Sequence, residues 1–293
     1  MTSNVTVGLD GSPESLAAAE WAAREALLRG VPLRLVHAQE RPQDLDPASS
    51  PEGVQHSQAE GMLNEAADGL RQRHPHLEIT TQQLSGLPPD TLSIAAKEAD
   101  LLVLGSRGLG RFAGFLLGSV GLATLRATER PVVVVRAPSG REDVPPSDSP
   151  AAGAPGPYLD VVVGVDLQQA CDAVISFAFD AAARRACTLR VVHGWTPPLV
   201  YTRLAAAVES GEQYAQALSD MLIPWRQKFP SVHIVEDAVF GAAAQQLVWA
   251  SADAELVVVG RRIQQAPHSG HIGPVTHAVL HHSTAPVAVV AHD

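Results

Sequence analysis

Aromatic side chains are scarce: Phe, Trp and Tyr together make up 4% of the 293 residues. The core must therefore be aliphatic, built from Val, Leu and Ala. Charge is also low, at 18% against ~25% in an average globular chain, while 46% of residues are apolar. That balance excludes a disordered chain. Positive charge is the scarcer sign, with 21 Lys and Arg against 31 Asp and Glu, a net charge of -10. A binder of nucleic-acid backbones needs basic patches, and a membrane-surface protein needs polybasic segments. Neither partner is expected. Two cysteines, Cys171 and Cys187, make no disulfide scaffold, and no C-x-x-C spacing suggests zinc. No apolar run approaches the ~20 residues that cross a bilayer. The opening MTSNVTVGLD lacks the basic and apolar regions of a leader, so a cytoplasmic protein is expected.

What is present is a repeat. VTVGLD at Val5–Asp10 returns as VVVGVD at Val161–Asp166, and LRLVHA at Leu33–Ala38 returns as LRVVHG at Leu189–Gly194. ADLLVLGSRG at Ala99–Gly108 returns as AELVVVGRRI at Ala254–Ile263, and PVVVV at Pro131–Val135 as PVAVV at Pro286–Val290. Four segments in one order at a near-constant offset indicate two copies of one domain. The stretch from Ala137 to Tyr158 holds six prolines and little apolar content. Proline lacks an N–H and has a fixed φ, so this stretch favours neither helix nor ladder. The expected organisation is a first domain over 1–137, a linker over 138–158 and a second domain over 159–293.

Within each copy, short aliphatic runs alternate with helical patterns. In the first copy strands are expected at Val5–Leu9, Leu33–His37, Leu77–Leu84, Leu101–Gly105 and Val132–Val135. Helices are expected from Ser12-Pro13-Glu14 to about Arg29, from about Gln55 to Arg73, over Asp90–Lys97 and over Ser119–Arg126. Ser12 is a natural N-cap, with proline following at the first helical position. Uninterrupted aliphatic strands separated by helices indicate an α/β fold, a parallel sheet covered on both faces. Right-handed crossovers then wind each sheet doubly, and such sheets bind ligands beyond the carboxyl ends of their strands.

The most informative segment is GSRGLGRFAGFLLGSV, Gly105–Val120. It follows an apolar strand and ends in the helix start Gly118-Ser119. Glycine permits close backbone approach and positive φ. A helix start presents free N–H groups and partial positive charge to an anion. Ser119 adds a hydroxyl, and Arg107 and Arg111 add cations. The segment reads as a phosphate cradle, although the glycines could equally serve as turn residues. It is no Walker A loop, because Gly-Lys-Ser/Thr is missing.

The spacing G-x2-G-x9-G-S, with V-G-x-D-G-S after the first strand and L-V-H-A after the second, resembles the universal stress protein family in its tandem two-domain form. The resemblance spans nearly the whole chain. It implies strand order 3-2-1-4-5 in each copy, ATP as ligand with Mg as its accompanying ion, homodimerisation, and a role as a stress-response regulator or sensor acting on a downstream protein. A nucleotide-independent scaffold and a slow ATPase are the alternatives, and no catalytic residue is assigned. By position, Asp10 would accept hydrogen bonds from ribose, with Gly8 and Leu9 against the nucleotide and the Ala38 backbone against adenine. Gly105, Ser106, Arg107, Gly108, Leu109, Gly110 and Arg111 would wrap ribose and phosphates. Gly118, Ser119 and Val120 would meet the terminal phosphates.

The second copy departs from the pattern. It retains Gly164, Asp166, Gly194, Gly260, Arg261 and Gly273 as a weaker site. Ile263 replaces Gly108, and Pro274 replaces Ser119, removing a hydroxyl and a backbone N–H. Leu167-Gln168-Gln169 stands where the first copy has Gly-Ser-Pro. Weak or absent ATP binding is expected there, with Arg261, Arg262, His268 and His271 as partial compensation. His37 and His193 occupy one repeated position and read as structural. His277 and His281 share a helix face, but no metal motif accompanies them, so no metal site is expected.

Overall fold

The structure is a computed structural model that describes residues 3–39, 51–108, 115–137, 158–169, 171–196, 204–263 and 272–293. Most of the stretch expected as a linker lies outside the described residues. The chain divides into two compact units, Met1–Arg141 and Glu142–Asp293.

The first unit contains β1 (Val5–Gly8), α1 (Pro13–Arg29), β2 (Leu33–Gln39), α2 (Pro51–Arg73), β3 (Ile79–Ser85), α3 (Pro88–Lys97), β4 (Leu101–Gly108), β5 (Phe115–Leu116), α4 (Ser119–Ala127) and β6 (Val132–Arg136). Its five main strands pair in parallel in the order β3-β2-β1-β4-β6. The short β5 pairs antiparallel to the end of β4. The second unit repeats the plan with β7 (Asp160–Gly164), α5 (Asp172–Arg185), β8 (Leu189–Trp195), α6 (Leu204–Lys228), β9 (Ile234–Phe240), α7 (Ala243–Ala250), β10 (Ala254–Arg262), α8 (Pro274–His282) and β11 (Val287–His292). Its parallel order is β9-β8-β7-β10-β11. Counting main strands only, both units have the order 3-2-1-4-5.

Val5, Val7, Leu33, Leu35, Leu101, Leu102, Val103, Val132 and Val133 are fully buried, so both faces of the first sheet are covered. Helix α1 packs with α2, and α3 with α4. The right-handed crossover rule puts these pairs on opposite faces. Helix α1 starts as its sequence suggests: Ser12 Oγ accepts the Ser15 N–H at 3.2 Å and Pro13 opens the first turn. It ends at Gly30, whose φ of 65° is left-handed. Its buried residues Ala18, Ala22 and Ala26 recur every four positions, and their small side chains let the helix lie close on the sheet.

Several details differ from the sequence reading: β3 starts at Ile79 rather than Leu77, and α3 at Pro88 rather than Asp90. Helix α2 begins at Pro51 rather than about Gln55, because proline suits the first turn of a helix. Strand β4 continues three residues past Gly105, and Arg107 and Gly108 form a ladder with β5. The hairpin β4–β5 lies where only a loop was expected.

Candidate functional site

In the first unit, β2 and β4 flank β1, and the crossovers from β1 and to β4 run in opposite directions. The carboxyl ends of β1 and β4 therefore part at a switch point, where open α/β sheets hold ligands. A cavity of about 250 Å³ lies there. Gly8, Leu9, Asp10, Ala38, Gly105, Gly118, Ser119 and Val120 all line it. Strands β1, β2 and β4, the loop after β1 and the start of α4 thus deliver eight of the expected residues to one crevice.

Asp10 caps a compact turn. Its Oδ1 accepts the Ser12 N–H at 3.0 Å and the Ser12 hydroxyl at 2.5 Å. The Asp10 N–H donates to Ser15 Oγ at 3.3 Å, and the Ser15 hydroxyl donates to the Ser12 carbonyl at 2.9 Å. The carboxylate is exposed but held in place. Beside it, His37 Nδ1 donates to the Leu9 carbonyl at 2.8 Å. His193 makes the same bond to Val165 at 3.1 Å in the second unit. Both histidines pin the loop after the first strand, the structural role their repetition suggested. At the opposite wall, α4 starts at Gly118 without a side-chain cap, so its first-turn N–H groups border the cavity.

Among the motif glycines, Gly105 has a packing role beside the one its sequence suggested. Gly118 has φ -58° and Gly273 φ -58°, which any residue adopts. The positive-φ glycines among the described residues are Gly11, Gly30, Gly86 and Gly241. A Cβ on Gly105 would sit 2.7 Å from Glu14 C and Ser15 N. Glycine at 105 therefore lets the first turn of α1 lie against β4. Ser106 falls outside the cavity. It is 1% exposed, and its hydroxyl has no hydrogen-bond partner among the described residues. Successive strand residues point to opposite faces, so Gly105 and Ser106 cannot share one. Arg107 and Gly108 belong to the β4–β5 ladder, and Leu109, Gly110 and Arg111 lie outside the described residues. Ser12, Ser15, Val36, Pro88, Leu92, Leu104 and Gly121 complete the lining and were not foreseen.

The second unit has a larger cavity at the equivalent place, about 660 Å³. Gly164, Asp166, Gly194, Gly260 and Gly273 line it. Arg261 does not: it is 4% exposed and belongs to the other face of β10, whereas Arg262 reaches the cavity. Asp166 repeats the turn of Asp10, its Oδ1 accepting the Gln168 N–H at 3.0 Å. A Cβ on Gly194 would lie 2.5 Å from Ala243 Cα, so the start of α7 requires a glycine there. Ile263 donates its N–H to the His292 carbonyl at 2.6 Å, prolonging the main sheet. Pro274 occupies the first turn of α8. His268 and His271 lie outside the described residues. The sequence reading missed Trp195, Tyr214, Cys171 and His292, which also line this cavity. Among the described residues, no group of three or more His, Cys, Asp or Glu could hold a metal ion, and no helix is long and apolar enough to cross a membrane.

Two repeated, doubly wound parallel sheets, each with a crevice at its switch point, define a tandem doubly wound α/β class. The chain belongs to the universal stress protein family, whose model matches residues 1–136 and 157–291. It is 32% identical over 297 residues to the universal stress protein Rv2005c of Mycobacterium tuberculosis, covering 97% of this chain and 96% of the relative. A crystal structure of a universal stress protein from Archaeoglobus fulgidus matches 100% of both chains at 17% identity and a TM-score of 0.70, a likeness of fold. A shorter universal stress protein, solved in complex with cAMP, covers 47% of the chain at 30% identity and a TM-score of 0.35.

Proposed function

We propose that the chain binds ATP at the carboxyl end of its first sheet and acts as a stress-response regulator or sensor on a protein partner. The observation that carries this reading is the convergence of Gly8, Leu9, Asp10, Ala38, Gly105, Gly118, Ser119 and Val120 on one crevice that ends at a helix N-terminus. Asp10, fixed by Ser12 and Ser15, is suited to accept ribose hydroxyls. The first-turn amides of α4 and the Ser119 hydroxyl suit terminal phosphates, where the helix dipole favours negative charge. The described residues offer no metal cluster, so Mg would enter on the phosphates themselves. The functional units in this reading are 1–137 and 159–293 with 138–158 as linker, acting in the cytoplasm as a homodimer. Sedimentation at micromolar concentration tests the dimer, and a monomer would exclude it.

The second unit is proposed to hold ATP weakly. Pro274 cannot donate the amide that Ser119 can, and a hydrogen bond to a charged group contributes about 1.5–3 kcal/mol, about tenfold or more in affinity. Calorimetry should find one tight ATP per chain. Asp10→Ala should remove most of that binding and Asp166→Ala little. Gly118→Glu should abolish it without changing the melting curve of the ligand-free protein, since it puts like charge at the phosphate end. Ile263→Gly with Pro274→Ser should create a second site. The volume of about 250 Å³ is below the ~300–1,000 Å³ common for ligand pockets, and this favours a second reading, a scaffold that needs no nucleotide. Mass spectrometry of small molecules carried through purification separates the two readings, and a turnover assay separates both from a slow ATPase.

A further inference from the structure

Of the three methionines in the chain, Met62 lies against the turn that carries Asp10. Helix α2 buries Ala59, Leu63, Ala67 and Leu70 along one face. Met62 stands on the flank of that face and is half-buried. A Cβ on Gly11 would sit 3.1 Å from Met62 Sδ and 3.8 Å from its Cγ. Apart from Gly11 and its chain neighbours, no other atom of the described residues comes within 4 Å of that position. The thioether is therefore the cover of Gly11. With φ 78° this glycine is left-handed, and its missing side chain leaves the gap that the sulfur fills. Methionine suits such a gap because it is unbranched and adaptable.

The covered turn is the one in which Asp10 Oδ1 accepts the Ser12 N–H and hydroxyl, at the rim of the first cavity. The second copy lacks both halves of the contact. Leu167 stands in place of Gly11. Ala217 precedes the buried Leu218 as Met62 precedes the buried Leu63, so alanine stands in place of the thioether. Its turn, with the Gln168 N–H on Asp166 Oδ1, is otherwise the same.

We propose that Met62 is a modification site, oxidised by a peroxide to the sulfoxide, and that the oxidised side chain loosens the Asp10–Ser12 turn of the first unit. The sulfur lone pair attacks the terminal peroxide oxygen. An S–O bond forms and the O–O bond breaks. The proton of the attacked oxygen passes to the leaving oxygen, which departs as water or an alcohol. Sulfur loses two electrons and the peroxide gains them. Oxidation makes an apolar side chain polar, so the contact with Gly11 gives way to contact with water. Half-burial lets the oxidant in while the reduced side chain stays packed. The modification and the loosened turn stand on the contact itself, and only their effect on nucleotide rests on the ATP reading.

The test treats the full chain with limiting hydrogen peroxide and follows it by peptide mass spectrometry and amide hydrogen exchange. Met62 should gain an oxygen, and the Asp10 and Ser12 amides should then exchange about tenfold faster, as expected when a local opening becomes easier. The Gln168 amide should not change. Met62→Leu keeps an apolar cover without sulfur and should hold the turn in peroxide. Met62→Gln puts a polar group over Gly11 and should speed exchange without peroxide. Melting curves check that both variants fold. If the reduced chain binds ATP, oxidation should weaken that binding severalfold. A reduced chain that binds no ATP would count against the ATP reading, while the Ser12 amide still decides this inference. Oxidation of Met221 with Met62 spared, unchanged Ser12 exchange once Met62 is oxidised, or equal acceleration in Met62→Leu would each overturn it.

Discussion

Gly105 illustrates why a glycine pattern misleads at the scale of single residues. Both a nucleotide and a crossing helix exclude a Cβ, and spacing along the chain cannot tell them apart. At Gly105 the neighbour is the backbone of Glu14 and Ser15, which cannot rotate away. Gly105→Ala should cost about 1–3 kcal/mol in ligand-free denaturant unfolding. At Gly273 nothing lies within 4 Å of an added Cβ, so Gly273→Ala should stay within about 0.5 kcal/mol. Equal losses at the two positions would contradict this assignment. A second residue-level expectation concerns acid. Burial alone would raise the Glu20 carboxyl, but hydrogen bonds from His74 at 2.8 Å and Arg73 at 2.9 Å outweigh it and hold it below its ordinary value. Its contribution is therefore complete above the unfolded-state carboxyl range and lost as pH falls through the depressed folded value. Glu20→Gln should lower stability near neutrality by about 1 kcal/mol or less, with the gap closing toward pH ~3. Melting temperatures across that range are the check. The Asp10 and Asp166 positions were legible because one aspartate recurs after each first strand. Tyr214 was not, because nothing along the chain shows that α6 crosses over the end of β8.

Strands and helices were the most legible level. Near-continuous runs such as LLVLG and VVVV can only be buried strands, and the Ser12-Pro13 start of α1 was correctly identified because capping chemistry is local. The β4–β5 hairpin was missed, since two residues carry no periodicity and glycines surround them. The paired helices α4 and α8 carry their own test. Proline at the first turn of α8 restricts the unfolded chain, so Pro274→Ser alone should lower ligand-free stability by about 0.4–1 kcal/mol while restoring a donor amide. A stabilised variant in thermal melting would show that the proline is strained there. Ser119→Pro in α4 is the mirror experiment, and it should weaken ATP about tenfold while raising ligand-free stability by about 0.4–1 kcal/mol.

Across the whole chain, duplication allowed the two sites to diverge while the fold stayed fixed. The five-strand order is set by aliphatic runs and crossover handedness, and both copies keep them. The cavity walls are set by loops and helix ends, and there the copies differ. Ligand addition should therefore act on one unit at a time. ATP at one hundred times its dissociation constant adds about 2.7 kcal/mol to whichever unit binds it. Calorimetric melting should show one transition rising with ATP and one staying in place. Two transitions rising together would mean that both units hold the nucleotide.

The replacement of Ser15 by Cys171 at the same place in the second copy makes the protein its own reporter. Cys171 is half-buried at the rim of the larger cavity, while Cys187 is buried and burial pushes its thiol upward in pKa. Alkylating dyes should therefore attach at the first of these thiols and spare the second. The unmutated chain thus has a natural attachment point at one site, through which occupancy of that cavity can be followed by the colour or lifetime of a single bound fluorophore.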